Sequence, residues 1–204
     1  MDQLIVKDIS VVRGKKTVLS NLSMNFSFGE LVAIEGNNGS GKSTFLETLA
    51  GLISMAHGEI LLEGKSLSRL SFADRAQFIS FIPSRKTTAA SLEVKTAISV
   101  GDLSGKKSSR VEEALEKFNL KKLQDNLLTE LSDGEFQRVQ LARVWVQDTP
   151  VVLLDEPAAH LDANARVELF AELLKWAKEG KKLVILCSHE LHLNKQFATR
   201  TVQF

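Results

Sequence analysis

An α/β fold with a mainly parallel sheet, antiparallel strands near the N-terminus and an inserted helical lobe is predicted by three observations. Short β-branched and apolar runs alternate with helical patterns along most of the chain, which suits parallel strands covered by helices. Between residues 84 and 146 the alternation lapses: no convincing strand occurs and helical patterns dominate. The chain has 204 residues, 44% hydrophobic and 25% charged, enough for one good core with a smaller lobe attached.

Each element follows from its local pattern. Residues 4–12 and 22–26 suit antiparallel strands laid beside the core, with turns at Asn21 and at Phe28-Gly29. Residues 31–35 form a short apolar strand, residues 43–50 a helix, and residues 59–62 and 78–82 two further strands. Inside the lobe, residues 110–118, 121–127 and 134–146 have helical spacing, while Gly, Ser and Lys content makes the segment from Gly101 to Ser109 a mobile loop. Strands return at residues 151–155, 183–187 and 200–204, with a helix over residues 163–178. The expected organisation is a single domain over residues 1–204, its α/β core formed by 1–83 and 147–204 and its helical subdomain by 84–146.

Charge and composition exclude several classes. With 26 basic and 25 acidic residues the chain has no overall bias towards nucleic acid or anionic lipid, and no nucleic-acid partner is expected. The clusters Arg13-Gly14-Lys15-Lys16 and Gly105-Lys106-Lys107 suit solvated turns. The opening residues lack a basic stretch followed by a long apolar one, and no apolar run is long enough to span a bilayer, so neither a signal peptide nor a membrane span is expected. Cys187 lies within an apolar strand pattern, where a small buried thiol is expected.

Two patterns carry chemistry. Gly36, Asn37, Asn38, Gly39, Ser40, Gly41, Lys42, Ser43 and Thr44 fit the phosphate-loop pattern G-x-x-x-x-G-K-[ST], with a strand before it and a helix after it, the context of a P-loop NTPase core. The glycines let successive amide N–H groups turn inward around phosphates, and the following helix adds its positive end. Lys42 supplies a mobile charge for the β- and γ-phosphates, and the Ser43 hydroxyl is placed to ligate Mg²⁺. Downstream, the strand at 151–155 ends in Asp155 and Glu156 followed by Pro157. Two carboxylates at the carboxyl end of a strand suit ligand binding in an open α/β sheet, Asp155 holding Mg²⁺ and Glu156 orienting or deprotonating an attacking water.

In order along the chain come the phosphate loop, the helical insertion, Leu131-Ser132-Asp133-Gly134-Glu135, Asp155-Glu156, Ala159-His160-Leu161-Asp162 and Ser188-His189. This order resembles the ATP-binding subunits of ABC transporters over nearly the whole chain. The resemblance implies ATP and Mg²⁺ as ligands, and a nucleotide held between two copies by the phosphate loop of one and the segment from Leu131 to Glu135 of the other. In that segment, similar to the family's Leu-Ser-Gly-Gly-Gln signature, Ser132 resembles an N-cap and Gly134 opens a helix towards the γ-phosphate. Asp133 stands where the family has glycine; its carboxylate would repel a triphosphate, so it is expected to point away and cap the helix. His189 occupies the position of the family's switch histidine, and Asp162 is expected at the dimer interface and as a helix cap. His57, His160 and His192 are expected to be structural or exposed.

Two positions depart from the family pattern. Arg13 stands where an aromatic residue stacks on adenine; its guanidinium plane suits either stacking on the base or a solvated turn. Ser84 replaces the glutamine that joins the site to the membrane subunit, and weakened coupling is expected. The resemblance further implies a second ATP-binding subunit, a transmembrane permease and a cytoplasmic location on the inner face of the membrane. Within the family the chain is most similar to importer ATPases for iron-siderophore, haem or cobalamin complexes. An exporter-type ATPase such as a haem-exporter subunit, or a non-transport or regulatory ABC ATPase with weak activity, is the alternative.

Overall fold

A computed structural model describes residues 3–84, 91–103, 105 and 108–204. Lys106, Lys107 and part of the loop expected between Gly101 and Ser109 lie outside the described residues. In chain order the elements are β1 (Gln3–Arg13), β2 (Lys16–Ser27), β3 (Leu31–Glu35), α1 (Lys42–Ala50), β4 (His57–Leu62), β5 (Lys65–Ser66), α2 (Phe72–Ala76) and β6 (Ile79–Ile82). They continue with α3 (Val94–Ser99), α4 (Ser108–Lys117), α5 (Asp133–Gln147), β7 (Val151–Asp155), α6 (Ala163–Lys178), β8 (Leu183–Cys187), α7 (Leu191–Phe197) and β9 (Arg200–Gln203). No described helix is long and apolar enough to cross a membrane.

The strands form two sheets. One is antiparallel in the order β2-β1-β4-β5, and the other is parallel in the order β6-β7-β8-β3-β9. Alternation along the buried strands divides the apolar side chains between two faces. Val32 and Ile34 of β3, with Val151, Leu153, Ile185 and Cys187, face α1 and the antiparallel sheet. Leu31 and Ala33, with Val152, Leu154, Val184 and Leu186, pack instead with Phe170, Leu173 and Trp176 of α6. Cys187 is buried as expected, and burial pushes its thiol up. A third core lies in the lobe, where Ile98, Leu115 and Val139 meet. Helix α5 serves two cores: Leu141 and Val144 pack towards the sheet, Phe136, Val139 and Val146 towards the lobe.

Several expectations need correction. The second strand begins at Lys16, and Asn21 lies within it rather than in a turn. Asn21 has φ +48°, and the β1–β2 register is irregular between Ile9 and Val11, so this residue marks a bulge that its short polar side chain tolerates. The reversal lies at Gly14, with Arg13 paired to Lys16. Residues 121–127 are not an α-helix but contain one 3₁₀ turn, Lys121–Leu123. The reason is a competing set of partners: the carbonyls of Gln124 and Asn126 accept from the backbone N–H groups of Lys95 and Val94 at 2.9 and 3.0 Å. The strand at residues 57–62 pairs with β1 in the antiparallel sheet. Helices α2, α3 and α7, of five, six and seven residues, are too short to register as helical periodicity.

Phe45 on α1 joins the layers. It is fully buried, with ring centroids 6.3 Å from Phe26 of the antiparallel sheet and 5.2 Å from Phe204 beyond β9. Phe45→Ala removes this filling from a site that neighbouring rings cannot collapse into. A loss of about 3–5 kcal/mol of stability is expected, read as a lower midpoint in urea unfolding; a change below about 1 kcal/mol would show that the rings do collapse.

Candidate functional site

The site is built where parallel strands end. Strand β3 stops at Glu35, and residues 36–41 loop back to start α1 at Lys42. At Gly36 a Cβ would stand 2.6 Å from the Phe204 carbonyl oxygen, so the loop needs glycine to pass the end of β9. Gly41, at φ +107°, caps α1 without any side-chain hydrogen bond, leaving the first amides of the helix for a ligand. The Lys42 ammonium donates to the carbonyls of Gly36 and Asn37 at 2.7 and 3.1 Å and so curls over the loop. Ser40 Oγ is buried with no hydrogen-bond partner, a loop donor suited to a phosphate oxygen. The loop therefore fits a nucleotide polyphosphate on its own geometry.

Strand β7 supplies the carboxylates. Asp155 is buried at 3% exposure, while Glu156 adopts the left-handed φ of +54°, which turns the chain out of the strand. Its N–H donates to the Cys187 carbonyl of β8 at 3.0 Å, fixing the two strand ends together. His189, two residues beyond Cys187, places Nε2 3.2 Å from Glu156 Oε1. Burial holds the Glu156 carboxyl above the usual carboxylate range, against the pull of His189; the Asp155 charge adds to the rise and Lys42 opposes it.

One open cleft of about 620 Å³ is lined by Asn38, Gly39, Gly41, Lys42, Ser43, Thr44, Glu156 and His189, whereas Gly36, Asn37, Ser40 and the buried Asp155 do not line it. Arg13 and Lys16, at the β1–β2 hairpin, form its other end. Arg13 is not a free turn residue: Nη2 lies 2.8 Å from Glu47 Oε2 on α1. Glu47 is therefore a residue missed from the sequence, and a partner 34 positions away leaves no trace in local spacing. Ser84 lines this cleft and also a second groove of about 310 Å³, where it and Pro83 face Leu92, Val100, Leu128 and Phe136 of the lobe.

Ser132 and Gly134 are not brought to the cleft. Ser132 caps α5, its hydroxyl accepting from Glu135 N–H at 3.3 Å while the Glu135 carboxylate accepts from Ser132 N–H at 2.9 Å. The expected cap at Asp133 is thus corrected: Ser132 already occupies that position, and the Asp133 carboxylate lies 3.9 Å from His160 Nδ1 in the second groove. Asp162 does cap α6, accepting from Ala165 N–H at 2.9 Å. At Gly134 a Cβ would meet nothing closer than the His160 carbonyl oxygen at 3.5 Å, an ordinary contact, so this chain's own packing gives no reason for a glycine there.

Residues 19–159 match the family described as ABC transporter. The hemin import ATP-binding protein HmuV of Chelativorans sp. (strain BNC1) is 35% identical over 96% of this chain and 79% of its own length. The probable siderophore transport system ATP-binding protein YusV of Bacillus subtilis (strain 168) is 27% identical over 99% of this chain and 77% of its own length. A dimeric structure of a bacterial ABC transporter cassette shares the fold with a TM-score of 0.90 at 23% identity, over 98% of this chain and 94% of that one. Phosphate loop, acidic strand end and these likenesses agree, and the chain belongs to the ABC transporter family as one of its ATP-binding, ATP-hydrolysing domains.

Proposed function

We propose that the chain powers import of an iron carrier, a siderophore or haem complex, by hydrolysing ATP between two copies of itself beneath a membrane permease. The observation that carries this reading is a split site. One copy gathers Lys42, Ser43, Glu156 and His189 on one cleft and leaves Ser132 and Gly134 outside it. A second copy, turned to face the first, would bring the exposed start of α5 to the γ-phosphate, and the absence of a side chain at Gly134 lets that approach be close. The names of the hemin and siderophore relatives support the cargo, and the dimeric cassette that shares the fold supports the pairing.

The residues then divide the work. Lys42 exchanges its bonds to the Gly36 and Asn37 carbonyls for phosphate oxygens, and the loop amides with Ser40 hold the polyphosphate. Ser43 and Asp155 would hold Mg²⁺, two oxygen donors that leave its remaining positions to phosphate and water, and the ion's charge offsets that of the triphosphate. Glu156 accepts the proton of the water that attacks the γ-phosphorus as the bond to the ADP oxygen breaks, and its raised pKa makes it a better base. His189 fixes the Glu156 carboxylate in place. Residues 84–146 act as the helical subdomain, and the groove beside Ser84 takes a short helix of the permease at the inner face of the membrane. Arg13, its fork held by Glu47, offers a planar face to the base.

Glu156→Gln is expected to keep ATP affinity while turnover falls by about 10²–10⁴-fold, with ATP-bound dimers accumulating in size-exclusion chromatography; normal hydrolysis would remove Glu156 from this role. Protonation disables the base, so turnover of the native chain falls as pH drops, with its midpoint above the ordinary glutamate value of about 4.3. Arg13→Ala is expected to weaken ATP binding by about tenfold, ~1.4 kcal/mol, without affecting inorganic tripolyphosphate. Equal losses for both ligands would make Arg13 a phosphate contact instead. Ser84→Gln is expected to strengthen the response of ATP turnover to the permease that co-purifies from membranes; an unchanged ratio of stimulated to basal turnover would take Ser84 out of the coupling path. Cargo is tested by uptake of siderophore-bound and haem-bound iron in cells lacking the chain, where unaltered uptake of both overturns the importer assignment.

A further inference from the structure

The strand that feeds the phosphate loop ends in a charge with no evident place in the chemistry. Leu31, Val32, Ala33 and Ile34 of β3 are all fully buried and apolar, yet the next residue is Glu35, directly before Gly36. Its carboxylate is engaged on both sides. One oxygen accepts from Asn194 Nδ2 at 2.9 Å and the other from Gln203 Nε2 at 2.7 Å. Asn194 sits on α7 with no solvent exposure at all, next to the buried Leu193. The same nitrogen lies 3.5 Å from the carbonyl oxygen of Ser188, the outer limit of a hydrogen bond, and Asn194 Oδ1 is buried without a hydrogen-bond partner. Ser188 is itself buried, and its hydroxyl accepts from Glu190 N–H at 3.0 Å, closing a turn around His189.

Asn194 lies on the helix that follows His189 directly, and its fully buried amide ties that helix to Glu35, so displacement would leave the carboxylate short of a donor away from water. Glu35 directly precedes Gly36, the first residue of the phosphate loop, and Ser188 directly precedes His189. We propose that Glu35 and Asn194 are positioning residues, which lock the phosphate loop and the His189 peptide at a fixed separation and so set the turnover rate rather than nucleotide affinity. This rests on the role assigned above to His189 and Glu156. Neither Glu35 nor Asn194 lines the cleft on which Lys42, Ser43, Glu156 and His189 meet.

The test uses reversal of the hydrogen bond. Asn194→Asp sets two carboxylates against each other; adding Glu35→Gln restores the bond between these two side chains with donor and acceptor exchanged, though not the donor to the Ser188 carbonyl. For the purified chain, Asn194→Asp is expected to lower kcat for ATP by about tenfold to a hundredfold, the cost of a misplaced reacting group, while the Kd for ATP stays within about twofold. The double variant Asn194→Asp with Glu35→Gln is expected to recover part of that loss, since the exchanged pair bonds again while the Ser188 carbonyl still faces no N–H donor. Thermal melting of each variant identifies any that fails to fold, and the double variant then carries the test, its kcat compared with that of Glu35→Gln alone. Unchanged kcat in folded Asn194→Asp, or kcat and affinity falling together without recovery in the double variant, would overturn the proposal. Failure of the underlying mechanism has a separate signature: Glu156→Gln would hydrolyse ATP normally, whatever the Asn194 variants do.

Discussion

The site depends on one constraint, that β7, β8 and β3 lie side by side in parallel with their carboxyl ends level. The register sets Asp155 opposite Cys187 and Ile34 opposite the same residue, so the chain leaves all three strands at one height. The residues just beyond each strand are then forced into one neighbourhood: the glycine loop after β3, Glu156 after β7, Ser188 and His189 after β8. All three strands are apolar on both faces and buried between α1 and α6, and a slip of one residue in any of them would exchange the side chains packed on its two faces. The registration of the chemistry is thus inherited from hydrophobic packing, which is stronger in sum than any contact within the site.

Packing alone would leave the polar groups poorly disposed, and the local distortions correct this. Glu156 turns through a left-handed conformation that few non-glycine residues adopt, and its N–H is tied to the Cys187 carbonyl. The Glu156 carboxylate lies 3.2 Å from His189 Nε2, while Asp155 beside it stays buried. Desolvation and the neighbouring Asp155 carboxylate both disfavour a second negative charge, which is why Glu156 holds its proton more tightly than an exposed glutamate. A base that is desolvated yet paired with a histidine suits proton abstraction better than either a free or a fully neutralised carboxylate.

The phosphate loop, Asp155 and Glu156 were legible in the sequence because each sits at a strand or helix boundary that the local pattern marks, whereas His189 was singled out only by its resemblance to the family's switch histidine. The order of motifs made the fold legible for the same reason, and the central strands were found nearly to the residue. Contacts between remote segments were not legible. Glu47 beneath Arg13 and Asn194 beneath Glu35 lie 34 and 159 positions from their partners, and no periodicity reports such pairs. The segment after Leu120 failed differently: its composition permits a helix, but the N-terminus of α3 captures the carbonyls that helix would use, a tertiary competition that outweighs weak local propensity.

Helix α5 connects these observations to motion. At 15 residues it is about 22 Å long. Its C-terminal part is held against the sheet by Leu141 and Val144, and the Gln147 amide donates to the Ala76 carbonyl at 2.7 Å next to β6. Its N-terminal part carries Ser132 and Gly134 and packs through Phe136 and Val139 with the lobe. One end is therefore fixed to the strands that carry the acidic pair, and the other to the groove beside Ser84. A small rotation of the lobe about the anchored end displaces Ser132 and Gly134 most, since displacement grows with distance from the pivot. The capping box at Ser132 holds that far end helical, so the start of α5 does not fray. A groove occupant that tilts the lobe would thus change the reach of α5 towards a facing copy while leaving the registered strand ends undisturbed.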